Sequence, residues 1–114
     1  MMSIQNPQIQ SHAFLQEMYD DDYFPDFLVD KCKAIFLNVC ERIEQEQPQN
    51  LDELYAITHE ATEQINDLQD EFYDNDSEIE TAARDCLGET MFFVAQAYGF
   101  DDADGEELIA PRDW

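Results

Sequence analysis

Basic residues are nearly missing from this sequence. Five Lys and Arg stand against 28 Asp and Glu, a formal net charge of −23 over 114 residues. A field of that sign repels phosphate backbones and anionic lipid headgroups, which argues against direct binding of nucleic acid or a membrane surface. Glycine is scarce too, at three residues, and no Gly-rich phosphate loop or Gly-x-Ser-x-Gly nucleophile elbow appears. Cys32, Cys40 and Cys86 show neither a C-x-x-C pair nor a Cys/His metal spacing, and they read as small buried apolar residues. His59-Glu60 opens like a helical H-E-x-x-H zinc motif, but Glu63 stands where the second His belongs. The other histidine, His12, lies in the N-terminal segment, and the paired Glu-x-x-His motifs of a di-iron bundle are missing. No cofactor is implied, and an enzyme is not expected. Apolar runs such as Met91–Ala95 fall far short of the roughly 20 residues a membrane helix needs. The opening MMSIQNPQIQ lacks the basic region and apolar run of a signal peptide.

What the chain does have is rings. Eight Phe, five Tyr and one Trp make up 12% of it. A chain this charged with few aromatics would stay unfolded, and these side chains supply the burial that argues for a core. The length suits one domain.

The periodicity is helical throughout. In Leu51–Phe72, Leu54, Thr58, Ala61, Ile65, Leu68 and Phe72 recur at alternating steps of four and three, one apolar stripe on one helix face. Glu60, Glu63, Asp67, Asp70, Glu71 and Asp74 fall on the opposite face. Asn50 with Glu53 forms a capping box ahead of this helix. Before it, Pro25 opens a helix running to about Gln45, with Leu28, Cys32, Ile35, Val39 and Ile43 as its seam, broadened by Phe36 and Cys40. After it, Ser77 with Glu80 reads as a second capping box. A third long helix then carries Ile79, Ala83, Cys86, Phe93 and Ala97, and ends at Gly99-Phe100. Gly88 in its middle suggests close approach of a neighbouring backbone or ring, or a small kink. Residues 1–10 are expected to be a frayed tail and 11–114 a single helical domain, with Ser11 capping a short helix to about Met18. The expected architecture is all-α, a small antiparallel three-helix bundle with a short extra N-terminal helix and a C-terminal tail packed on it.

Two functional surfaces follow. The carboxylate face, Glu60, Glu63, Asp67, Asp70 and Asp74, together with Trp114, is the candidate contact surface for a basic partner. For Trp114 itself, docking on its own bundle is the preferred expectation. The fit suits an inhibitor, immunity-type or nucleic-acid-mimic protein, although charge alone carries the mimicry. The alternative is a divalent-cation protein. An antiparallel bundle brings Asp20, Asp21, Asp22, Asp74, Asp76 and Glu78 to one pole, so Asp20, Asp22, Asp74, Asp76 and Glu78 are candidate metal ligands. Asp74-Asn75-Asp76-Ser77-Glu78 nevertheless lacks the glycine an EF-hand loop requires.

The strings MYDDDYFPDFLVDK, NLDELYAITHEATEQINDLQDEF, NDSEIETAARDCLGE, AYGF and ELIAPRDW resemble a family of small acidic bacterial proteins known only as a domain of unknown function. The resemblance implies a bacterial cytoplasmic protein. It supplies no activity, cofactor or catalytic residue.

Overall fold

The computed structural model describes residues 4–114, which contain helices and no strand. Three helices are long: α3 (Asp26–Glu46), α4 (Leu51–Asp74) and α5 (Thr81–Ala97). Three are single turns: α1 (Pro7–Gln10), α2 (Gln16–Tyr19) and α6 (Gly105–Leu108). The all-α architecture is the one the periodicity predicts.

α3 and α4 are antiparallel neighbours. Arg42 of α3 bonds Glu60 of α4 at 3.0 Å, and Lys31 bonds Glu71, eleven residues farther from the turn on both helices. The α4 stripe is buried as expected, from Leu54 to Phe72. On α3 the buried seam is Leu28, Val29, Cys32, Phe36, Val39, Cys40 and Ile43, with Ile35 only half-buried. α5 packs on α3 and on α6, and α6 also reaches α4. The C-terminal segment therefore ties the third long helix to the second. Gly88 meets that segment, for a Cβ placed there would lie 3.4 Å from Ile109 Cδ1. The expected close approach is made by an aliphatic side chain instead of a backbone or ring.

One cap differs from expectation. The expected second capping box fails, because α5 starts at Thr81 and Ser77 closes α4. Asp76 is left-handed (φ 60°), its N–H bonds Tyr73 O, and Ser77 N–H reaches back to Phe72 O at 2.9 Å. That is a Schellman closure with Asp in the usual Gly position. The same closure ends α5 as predicted, with Gly99 at φ 85° and Phe100 N–H on Ala95 O.

The N-terminal expectation also changes. Met1–Ser3 lie outside the described residues, and the rest of the expected tail is structured. Asn6 caps α1 through bonds from Gln8 and Ile9 N–H, Pro7 follows it, and Ile9 is buried. Ser11 opens no helix; it closes α1 as its C-cap, with both its N–H and its hydroxyl donating back to Pro7 O. Left-handed Leu15 (φ 59°) breaks the expected helix, although Phe14, Leu15 and Met18 are buried as anticipated.

Glu44 holds this N-terminal strap. Its carboxylate accepts from Gln5 N–H at 2.8 Å, Asn6 N–H at 3.1 Å and the Tyr98 hydroxyl, while Asn6 Nδ2 donates to Ala97 O. Partial burial pushes the Glu44 carboxyl up, but the Tyr98, Gln5 and Asn6 hydrogen bonds outweigh it and hold the group below its ordinary range. Glu44→Ala should therefore cost about 1–2 kcal/mol, because Asn6 and Tyr98 are half-buried donors that lose a partner while the exposed Gln5 N–H can turn to water. Urea midpoints measure the cost, and amide exchange at Ile9 should speed up. Unchanged protection at Ile9 would show that the strap is held by something else.

Candidate interaction surface at the α3–α4 pole

Three large apolar or aromatic side chains are conspicuously exposed among the described residues: Tyr23 at 42%, Phe27 at 49% and Tyr73 at 57%. All three lie where α3 begins and α4 ends. Their outward direction follows from their neighbours. Phe72 is fully buried, and a helix turns about 100° per residue, so Tyr73 faces away from the core. Leu28 and Val29 are buried in the same way and leave Phe27 outside. Tyr23 is turned out by a tight loop, in which the Asp21 carboxylate accepts the Tyr23 N–H at 2.9 Å and Phe24 N–H bonds Asp21 O. Phe24 anchors that loop in the core, its ring edge-on to Tyr23 at 5.1 Å.

Carboxylates surround the rings. Local desolvation and the charges of Glu78 and Glu80 push the Tyr23 phenol up, with Tyr73 adding to the effect. Lys31 sits 6.0 Å from the Phe27 ring centroid and pairs with Glu71. Asp20, Asp21, Asp22, Asp74, Asp76 and Glu78 are all exposed. However, no group of three or more His, Cys, Asp or Glu among the described residues is arranged to hold a metal ion. The expected candidates Asp20, Asp22, Asp74, Asp76 and Glu78 therefore share a region without forming a ligand set.

The carboxylate face of α4 leads into this pole. Glu60 is partly neutralised by Arg42 at 3.0 Å. Glu63, Asp67, Asp70 and Asp74 are exposed and have no ion pair among the described residues. At 1.5 Å per residue they run about 16 Å along one face. Trp114 is not part of any surface. It is 7% exposed, packed on the bundle, and its indole N–H has no partner among the described residues. As a contact residue for a partner it is withdrawn, because its ring is already buried.

The sequence reading missed a second polar feature of α4. Tyr55, His59, Thr62 and Asn66 repeat the apolar stripe one residue later, and they hold the backbone of the C-terminal segment. The Tyr55 hydroxyl accepts Asp104 N–H, His59 Nε2 lies 2.6 Å from Glu107 O, and Thr62 Oγ1 reaches Leu108 O. Asn66 closes the row, donating to Pro111 O at 3.0 Å and accepting Asp113 N–H at 2.8 Å. His59 is thus a half-buried peg, stacked on Tyr55. A recess of about 250 Å³ holds both His12 and Cys86. Burial and Glu17 push the Cys86 thiol up, the reverse of what a nucleophile needs, and His12 is stacked on Phe93 at 4.0 Å.

A family profile matches residues 8–114, nearly the whole chain. The chain belongs to DUF5713, a family of unknown function. No curated protein and no solved structure matches it. The DUF5713 assignment agrees with the resemblance seen in the sequence strings, and it attaches no chemistry to the pole. No helix among the described residues is long and apolar enough to cross a membrane.

Proposed function

We propose that this DUF5713 protein is a non-enzymatic binding module of the bacterial cytoplasm that docks a basic segment of a partner protein on the α3–α4 pole. The observation that carries the proposal is the exposure of Tyr23, Phe27 and Tyr73, with several carboxylates, at the end of the molecule where α3 begins and α4 ends. Aromatic rings ringed by charge match the anatomy of binding hot spots. Arg and Lys side chains gain both ion pairing and ring stacking there. The unpaired row Glu63, Asp67, Asp70 and Asp74 extends the surface and steers a cationic partner toward it. An inhibitor, immunity-type or nucleic-acid-mimic role suits such a surface, and the same charge disfavours nucleic acid itself.

The test is a pull-down from bacterial lysate at low and high salt with wild-type protein and the Phe27→Ser/Tyr73→Ser variant. A basic partner should be held at low salt and released at high salt. Loss of two central rings should weaken binding about 30-fold or more, as for typical hot-spot truncations. Recovery of no basic partner, or equal capture by the variant, would sink the reading.

A further inference from the structure

A groove of about 550 Å³ runs between α5 and the α6 segment, within the range of roughly 300–1,000 Å³ usual for small-molecule sites. Its apolar side includes Phe92 and Ile109, and its polar lining includes Arg84, Asp85 and Glu89 together with Arg112, which is paired with Glu106 at 3.3 Å. Arg84 is the anomaly. Of the three arginines, Arg42 and Arg112 each have a carboxylate partner, whereas Arg84 has no ion pair among the described residues. It is half-buried, and its Nε is fully buried without a hydrogen-bond partner. In a chain with 28 carboxylates, the one arginine left without one lines a cavity of ligand size. That Nε is closed off from the groove, so the terminal Nη groups of Arg84, also without a partner among the described residues, are the donors left to take a bound anion.

We infer that this groove binds a small zwitterion, with its carboxylate on Arg84 and its cationic end against the acidic rim. Guanidinium is the side chain best shaped for bidentate carboxylate binding. Asp85 and Glu89, which have no ion pair among the described residues, repel a polyanion and favour a positive group a few ångströms from that carboxylate. The chemistry is that of an α-carboxylate beside a cationic side chain, in a free basic amino acid or at the C-terminus of a basic peptide. This site is separate from the pole and does not depend on it.

NMR titration of the full chain tests the inference, with L-lysine, cadaverine (lysine without its carboxylate) and the dipeptide Gly-Lys as probes. L-lysine or Gly-Lys should give saturable amide shifts confined to Arg84–Phe92 and Gly105–Ile109, and whichever binds more tightly identifies the source. Cadaverine should bind about tenfold more weakly or worse, the usual loss of a charge-assisted hydrogen bond. Arg84→Gln should show the same loss. Simple condensation of cations on an acidic surface predicts the opposite, since Arg84→Gln makes the groove more negative. Cadaverine binding as tightly as lysine, Arg84→Gln binding as tightly as wild type, or absence of saturable shifts with both lysine probes would each overturn the inference. If Arg84→Gln fails to fold, Arg84→Lys keeps the charge but loses the fork, and it should still bind L-lysine several-fold more weakly. An equal affinity in that variant would also overturn it.

Discussion

Trp114→Ala should destabilise the protein by about 3–5 kcal/mol, the range for removing a large buried ring, and lower Tm by roughly 15 °C for a domain this size. The ring is buried beside a segment that also contributes Leu108 and Ile109 to the core. That segment joins α5 to α4 through α6, so loosening it weakens the hold of two long helices on each other. Trp114→Phe should cost much less, because it keeps most of the apolar area and removes an indole N–H that has no partner among the described residues. Asn66→Ala should fall between them, at about 1–3 kcal/mol, since it strips hydrogen bonds from both Pro111 O and Asp113 N–H. Thermal melting followed by circular dichroism measures all three. A Trp114→Ala variant melting within 2–3 °C of wild type, a shift worth only about 0.5–1 kcal/mol, would show that the segment lies outside the cooperative unit.

The helices were legible because their signals are local. The four-three spacing of α4 places every predicted stripe residue inside. Asn50 accepts Glu53 N–H at 2.9 Å as a capping box requires, although Glu53 reaches back to Gln49 N–H instead of Asn50 N–H. Ser77 misled because Ser-x-x-Glu describes only the helix that follows. Whether that serine opens one helix or closes another depends on the turn, and left-handed Asp76 decides it. The Asn6-Pro7 pair carried a true start signal, a capping side chain followed by Pro, hidden in a segment whose Gln and Asn content suggested fraying.

Site features were harder to read because their partners are distant in the chain. Tyr55, His59, Thr62 and Asn66 look like the polar flank of any amphipathic helix. Nothing local says that they face a backbone more than 40 residues away. Likewise, the composition shows that rings are abundant but not which ones the core leaves out. The notion of a convergent acidic pole came from topology alone, and that is where the exposed rings lie. The acids there make a charged rim around Tyr23 and Tyr73 instead of a metal cage.

Raising the pH toward 11 should strip this protein of much of its stability. Burial pushes the Cys32 thiol up to about 12, helped by nearby Cys86. Burial does the same to Cys40, with a smaller contribution from Glu44. A folded-state pKa above the unfolded value means that the native fold keeps a proton the unfolded chain gives up. The stability this contributes is fully present below pH 9 and is lost as pH rises toward 12. Each thiol withdraws about 1.4 kcal/mol per pH unit above its unfolded pKa. By pH 11 the pair removes on the order of 5 kcal/mol, comparable to the whole stability of many small domains. Tyr98, raised by burial and by its bond to Glu44, adds to the slope above pH 10. Guanidinium midpoints taken from pH 8 to pH 11 under reducing conditions should fall steeply, and the Cys32→Ala/Cys40→Ala variant should fall less steeply from a lower start. Equal slopes in the two proteins would mean that the thiols ionise without leaving the core, and that the alkaline loss comes from repulsion among the surface charges.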